Sequence, residues 1–443
     1  MPSSGIKMLL TIMSMVFLVV TGEPQLIYKF DIPNLVKDFK CTETCKFTLV
    51  ESMPENLTYP AFEPIMMSTY KAHKRILEKV KKTLYLSSCY WSLVGTDTDY
   101  HDYSSAEGED ILKHLYDLTK DGTISLKIAQ NNTNKDTQML ESVGAEVRTP
   151  DFKRLLHYGI LHTKMWVADN AHVYIGSANF DWRSYTQTKE TGVLIEDCPC
   201  LGEDAAKIFE VYWYLGNPNS HIPQHWPANL STAINVSNPA VLNYNDTNGE
   251  VYISSSPPQF CTTGRTGDID AIVNVIRSAK KFIYISVMDY LPEILYAEPR
   301  VYWPIIDQEL RNIAFNDGVQ VYLLASHWQH TIEDMYAFLR SLDELHTTKF
   351  HKIDIHVKLF TVPADESQKK IPYSRVNHSK YMVTDQHAYI GTSNWSGDYF
   401  KYTGGVGFIL KQSDGASSNL RQQLVQLFLR DWNSEYSKYV YRF

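Results

Sequence analysis

The chain has 443 residues, 44% of them hydrophobic, which is long and apolar enough for two ordinary domain cores and excludes disorder as the default. Its 42 Lys and Arg against 50 Asp and Glu leave a formal charge of −8, which excludes a broad basic footprint for duplex nucleic acid. An anionic substrate must therefore be gripped in a local cationic pocket.

The N-terminal stretch MPSSGIKMLLTIMSMVFLVVTGEPQ sets Lys7 ahead of an apolar run from Met8 to Val20, followed by small and polar residues. About 13 apolar residues fall short of the ~20 that a bilayer-spanning helix needs. Residues 1–22 are accordingly read as a secretory signal, cleaved or kept as a short anchor. In a secretory chain, Cys41 and Cys45, facing Cys198 and Cys200, read as two disulfides that tie the N-terminal segment to the first repeat. Zinc is disfavoured because Cys-x-Cys is tighter than the usual structural-site spacing. Cys89 and Cys261 are read as free thiols. Sequons at Asn56, Asn131, Asn229, Asn235 and Asn245 fit a glycosylated lumenal or secreted protein. Two further sequons, at Asn377 and Asn394, fall in segments expected to be buried and should stay bare.

Self-similarity follows. KKTLYLSSCYWSL from Lys81 and KKFIYISVMDYLP from Lys280 each run from two lysines into an alternating strand. Each is followed by a helical pattern closing on Asp-Gly, EDILKHLYDLTKDG and YWPIIDQELRNIAFNDG, and then by another strand, TISLKIAQ and VQVYLLAS. This alternation predicts a mostly parallel α/β sheet in each half. Tyr90, Trp91 and Tyr290 end the leading strands, where an aromatic either packs in the core or stacks on a base. Further on, LHTKMWVADNAHVYIGSANFDWRS from Leu161 is mirrored by NHSKYMVTDQHAYIGTSNWSGDYF from Asn377. His162, Lys164 and Asp169 repeat the spacing of His378, Lys380 and Asp385, and the trailing Asn179 repeats as Asn394. Residues i and i+2 of a strand share a face, so each histidine and its lysine point together. One such pair would read as a solvated surface feature. Two, with glycine and asparagine following in register, read as one shared site. The Asn-, Pro- and Ser-rich segment 216–258 is the natural connector between a first repeat at 23–215 and a second at 259–443. AAKIFEVYWYLG and SNLRQQLVQLFLRDW close the two repeats as helices.

The doubled H-x-K-x(4)-D pattern resembles the phospholipase D superfamily. GSANFDWRSYTQTKE, FEVYWYLG, KLFTVPADE, IPYSRVNHSKYMVTD and FLRDWNSEYS are most similar to its lumenal branch, which includes the endolysosomal 5′ exonucleases. The resemblance covers nearly all the chain after Cys41. It implies duplicated phospholipase-D-type α/β domains packed pseudo-twofold around one active-site cleft, and a metal-independent 5′-3′ exonuclease that needs no cofactor. The substrate would be single-stranded DNA or RNA, cut through a phosphohistidine to give 3′-phosphorylated nucleotides in the endolysosomal lumen or outside the cell. A lipid phosphodiesterase or transphosphatidylase acting on phospholipid is the alternative, and a non-catalytic binding protein on the same scaffold is a third. The sequence leaves a homodimer open.

A phosphodiester needs a nucleophile, a proton donor for the leaving oxygen, and donors for the phosphoryl oxygens. His162 is read as nucleophile and His378 as acid and base. Lys164, Lys380, Asn179 and Asn394 would hold phosphate. The resemblance implies that Glu190, in TKETG, orients the histidine of its own motif through the second ring nitrogen. The other half reads FKYTGG at that place, with Asp398 the nearest carboxylate. Asp169 and Asp385 belong to the signature and are expected to fix the motif hairpins by hydrogen bonds.

Overall fold

In the first half, β1 (Thr44–Ser52) leads to α1 (Thr69–Lys79), β2 (Thr83–Ser88), α2 (Ala106–Lys120), β3 (Ser125–Gln130) and β4 (Glu146–Arg148). The motif hairpin follows as β5 (Met165–Ala168) and β6 (His172–Gly176), then β7 (Glu190–Glu196) and α3 (Pro199–Leu215). Next come β8 (Ala240–Tyr244) and β9 (Thr247–Ser256). The second half repeats the series with α4 (Asp268–Ser278), β10 (Phe282–Val287), α5 (Ile305–Asp317), β11 (Gln320–Ser326), α6 (Asp334–Asp343) and β12 (Ile355–Phe360). It closes with β13 (Lys380–Thr384), β14 (His387–Gly391), β15 (Gly405–Lys411), α7 (Leu420–Asn433) and β16 (Ser437–Tyr439). This computed structural model describes residues 41–443 apart from 42, 43, 62, 99–102, 246, 349–351 and 413–418. The proposed signal segment, residues 1–22, lies outside the described residues.

The sixteen strands named above form one sheet, in the order β16-β12-β11-β10-β13-β14-β15-β9-β8-β1-β7-β6-β5-β2-β3-β4. Reading outward from the middle, β7-β6-β5-β2-β3-β4 repeats as β15-β14-β13-β10-β11-β12, which is the duplication expressed as strand order. The expectation of a mostly parallel sheet holds for only part of each half. β2, β3 and β4 are parallel, as are β10, β11 and β12, but the motif hairpins and the strands flanking them pair antiparallel. The reason is local: two-residue spacing between apolar positions marks a strand but not its partner's direction, and the short Asp-Asn and Asp-Gln turns after each motif permit only hairpins.

The segment 216–258 is more than a linker. β9 pairs with β15 and β8, and β8 runs beside β1 through Thr44↔Asn243 and Cys45↔Tyr244, so this hairpin stitches the halves together. β5, β6 and β7 are buried at every position, as strands covered on both faces must be. α3 packs on β2, β5 and β6 and also reaches β9, whereas α7 packs on β10, β13 and β14 and reaches back to β1. One apolar core therefore includes Val167, Ile175 and Phe209 together with Ile285, Leu323 and Phe408. Both Asp-Gly helix endings are realised: Gly122 and Gly318 have φ of +68°, a conformation open to glycine at no Cβ cost.

Disulfides join Cys41 to Cys200 and Cys45 to Cys198, fastening β1 to the start of α3. Cys89 and Cys261 are free thiols.

Candidate active site

Each motif enters its hairpin where the halves meet. Leu161 bridges to Gly404 and Lys189 to Asn377. The His162 amide donates to the Gly404 carbonyl at 2.9 Å, and the His378 amide donates to the Lys189 carbonyl at 2.8 Å. The backbone carrying each histidine is thus held by the opposite half.

The same crossing corrects the reading of Glu190. Its carboxylate lies 3.0 and 2.9 Å from Nδ1 of His378, the histidine of the other motif. His162 Nδ1 instead faces the Thr392 carbonyl at 2.9 Å. The cause is the pairing of Lys189 with Asn377, which carries the neighbouring Glu190 to the far histidine. Asp398 is no substitute: it accepts from the amides of Leu295 and Tyr296 at 2.7 and 3.1 Å. The place of Glu190 in the second half is Gly405, where a Cβ would lie 2.2 Å from Ser393 Oγ and 2.8 Å from Ser256 Oγ. That half has no room for a glutamate.

Electrostatics separate the two rings. A carbonyl only accepts, so His162 carries its proton on Nδ1 and leaves the Nε2 lone pair free. Burial, reinforced by Lys164, Lys380 and His378, pushes the His162 pKa well below its ordinary value. Burial also lowers that of His378, but Glu190 pulls it back up. Glu190 stays ionised: burial opposes this, yet His378 and Lys380 outweigh it and hold the carboxyl below its usual range. Ser177 Oγ and Thr188 Oγ1 donate to its two oxygens at 2.5 and 2.7 Å.

The lysines are not in the cavity wall. Both are fully buried, and each ammonium donates to the carbonyl of its own motif's histidine, at 2.6 Å for Lys164 and 2.5 Å for Lys380. Burial pulls their pKa values down to about 8 and about 7. Asn179 and Asn394 do line the cavity. Asn179 Nδ2 donates to Tyr90 Oη at 3.3 Å, and Asn394 Nδ2 donates to Asp289 and Tyr399 at 3.0 and 3.2 Å. Asp289 is itself raised to about 6 by burial. Asp169 and Asp385 lie behind the motifs. Asp169 accepts from the amides of Lys81, Lys82 and Thr83, and Asp385 from those of Lys280 and Lys281, so they dock each motif turn on the start of the neighbouring leading strand.

The cavity holds about 420 Å³ and places His162, His378, Asn179, Asn394 and Glu190 around one space. Tyr90 also lines it, its hydroxyl donating to Asp181 at 2.9 Å. Trp91 stacks on Phe180 and Tyr290 is buried against Asp307, so both pack against the core and neither lines this cavity. Sequence reasoning missed Tyr399, whose ring meets that of His162 edge-on at 4.9 Å, and also Arg183, Trp328 and Tyr373. Tyr399 and Arg183 sit on the short helices Gly397–Lys401 and Arg183–Thr186, and Trp328 and Tyr373 on loops, all in segments after the strands where the halves differ and no periodicity marks a residue.

Behind Glu190, Lys189 is wholly buried between Glu51 at 2.7 Å and Asp431 at 2.8 Å; Arg430 pairs with both acids, and Tyr59 donates to Asp431 at 2.6 Å. Away from the histidines, Asp343, His346 and His356 bring potential metal-ligand atoms within 4.8 Å of one another.

Among the sequons, Asn377 and Asn394 are 1% and 4% exposed, leaving no room for a glycan. Asn56 and Asn229 are exposed and Asn235 half-buried. Asn131 Oδ1 accepts from the Leu161 amide at 3.0 Å, and the Asn245 side chain both accepts from and donates to the backbone of Phe47.

Residues 61–365 match the family described as PLD3/4, PLD-like domain. The chain is 49% identical over 411 residues to a Xenopus tropicalis protein named 5′-3′ exonuclease PLD3, covering 91% of this chain and 83% of that one. It is 42% identical over 403 residues to mouse 5′-3′ exonuclease PLD4, covering 89% and 79%. Among solved structures, a phosphatidylserine synthase from Haemophilus influenzae Rd KW20 superposes with a TM-score of 0.54 over 84% of this chain and 85% of the other. At 12% identity, that likeness is one of fold.

Proposed function

Because this chain belongs to the PLD3/4 family of phospholipase-D-like proteins, we propose that it is a 5′-3′ exonuclease acting on single-stranded DNA or RNA. The carrying observation is that two histidines, set to different protonation states, share one cavity about the size of a small ligand site. His162, neutral and with Nε2 free, attacks phosphorus. His378, held as imidazolium by Glu190, protonates the departing 5′-oxygen. The P–O5′ bond breaks as the N–P bond forms, leaving a 3′-phosphonucleoside on His162. Water then gives a proton to His378 and attacks phosphorus, releasing the 3′-phosphorylated nucleotide and free His162.

Asn179 keeps one amide hydrogen for a non-bridging oxygen, and Asn394 donates to another by exchanging its bond to Tyr399 for one to phosphate, while Lys164 and Lys380 supply positive charge from below. With pKa values near 8 and 7, both lysines are fully charged only in acid. The same holds for His378, whose lowered pKa requires a pH below its ordinary 6.5. These settings, the disulfides and the sequons support an acidic lumenal or extracellular place of work. The test is degradation of a 5′-hydroxyl single-stranded oligonucleotide in EDTA at mildly acidic pH. A ladder shortening from the 5′ end, absent in His162→Ala and His378→Ala, is expected; turnover of phospholipid with an untouched oligonucleotide would replace the substrate.

A further inference from the structure

A second cavity, of about 490 Å³, is lined by Trp91, Ser92, Asn134, Lys135, Arg183, Pro372 and Tyr373. It shares Arg183 and Tyr373 with the cavity of the two histidines, so the two spaces have a common wall. We propose that this trough holds the single strand on the 3′ side of the scissile phosphate, with Tyr373 as a stacking platform and Lys135 as a phosphate contact. The inference rests on the exonuclease reading and adds to it the path of the remaining strand.

Three observations carry it. First, a hydroxyl, an amide and two cations stand in the trough wall beside the rings of Trp91 and Tyr373, a mixture that suits the phosphates and the bases of a single strand. Second, Tyr373 is 65% exposed and already stacks on His330 with ring centroids 4.8 Å apart, a stack that a base can extend. Third, the loop that presents it is strained and clamped. Tyr373 and Arg375 have φ of +53° and +56°, values that non-glycine residues hold only where surrounding contacts enforce them. Arg183 Nη1 donates to the Pro372 carbonyl at 2.7 Å, and Arg375 donates to Gln187 Oε1, the Glu55 carbonyl and the Pro363 carbonyl. A loop of the second half is thereby fastened to the first, and its aromatic ring stands fixed before any substrate arrives, so little ordering cost falls on binding. At a net charge of −8, a local stack backed by a cation can hold a strand without a long phosphate track.

With the nucleoside that stays on His162 in the 420 Å³ cavity, the rest of the strand must pass out of it, and the neighbouring trough, which shares Arg183 and Tyr373 with it, is the path proposed. The test compares kcat/KM on a 5′-hydroxyl dinucleotide and on a 12-mer for the wild type, Lys135→Ala and Tyr373→Ala, with an aryl phosphodiester as a third substrate. The wild type should favour the 12-mer. Each variant should lower that preference about tenfold through KM, and Lys135→Ala should also reduce the salt dependence of KM for the 12-mer by about 0.7 in log-log slope. Variants that keep the wild-type ratio between the two oligonucleotides overturn the trough. A wild type that hydrolyses the aryl diester but neither oligonucleotide overturns the exonuclease reading, and the trough with it.

Discussion

The two halves carry the same strand order and the same H-x-K motif, yet they differ at the residue that begins the last motif-flanking strand: Glu190 in one, Gly405 in the other. Because each half reaches across the junction, the difference appears at the opposite histidine. Glu190 settles on His378, while the glycine leaves His162 to a backbone carbonyl. A duplication that would otherwise give two equal rings thus gives two in different settings, one facing a carbonyl and one a carboxylate, and the proposed roles of nucleophile and proton donor rest on that difference. Crowding by Ser393 and Ser256 keeps it that way.

Removing either ring breaks the comparison most severely. His378→Ala should cost about 10²–10⁴-fold in turnover on an oligonucleotide. With an aryl diester, whose leaving group needs no proton, it should trap phosphate on His162, visible by intact-mass measurement after acid-free quench. His162→Ala should never form the adduct, and an adduct in that variant would exchange the assigned roles. Next in size is Lys189→Met, which leaves Glu51 and Asp431 buried beside one cation fewer. It should destabilise the fold by about 3–5 kcal/mol in denaturant unfolding, and a loss under 1 kcal/mol would mean that the cluster does not hold this junction. Gly405→Ala probes the crowded position directly: about 1–3 kcal/mol of lost stability is expected, and a neutral outcome would show that the second half tolerates a side chain there.

The finest distinction is in pH. His378 must be protonated and His162 neutral, and both pKa values lie below 6.5, with that of His162 much the lower. The rate profile should therefore be a bell whose two limbs both fall on the acid side of 6.5. Glu190 raises the His378 pKa, so Glu190→Gln should move the alkaline limb to lower pH and leave the acid limb in place. Movement of the acid limb instead would tie the carboxylate to His162.

Much of this was legible in the chain itself. His162, Lys164, His378 and Lys380 announce themselves by recurring with the same trailing residues, and the leading strands by their paired lysines. The partner of Glu190 was not legible, because nothing in TKETG indicates a contact 188 residues away; only the bridge between Lys189 and Asn377 sets it. The lysines' withdrawal beneath the cavity was equally hidden. A strand pattern gives the face a side chain takes, but a lysine can then turn its ammonium back to the carbonyl two residues before it. Tyr399, on the short helix Gly397–Lys401, and Tyr373, on a loop, depend on chain paths that hydrophobic spacing does not encode.

The stitching of each histidine's amide to the far half has a consequence for how the molecule would meet a protease. A fragment comprising either repeat would lose the carbonyl that secures its histidine loop, and the strand partners around it would be exposed. Partial digestion would release no fragment with the two-histidine site; the activity exists only while both repeats remain assembled, and ends with the first cut that separates them.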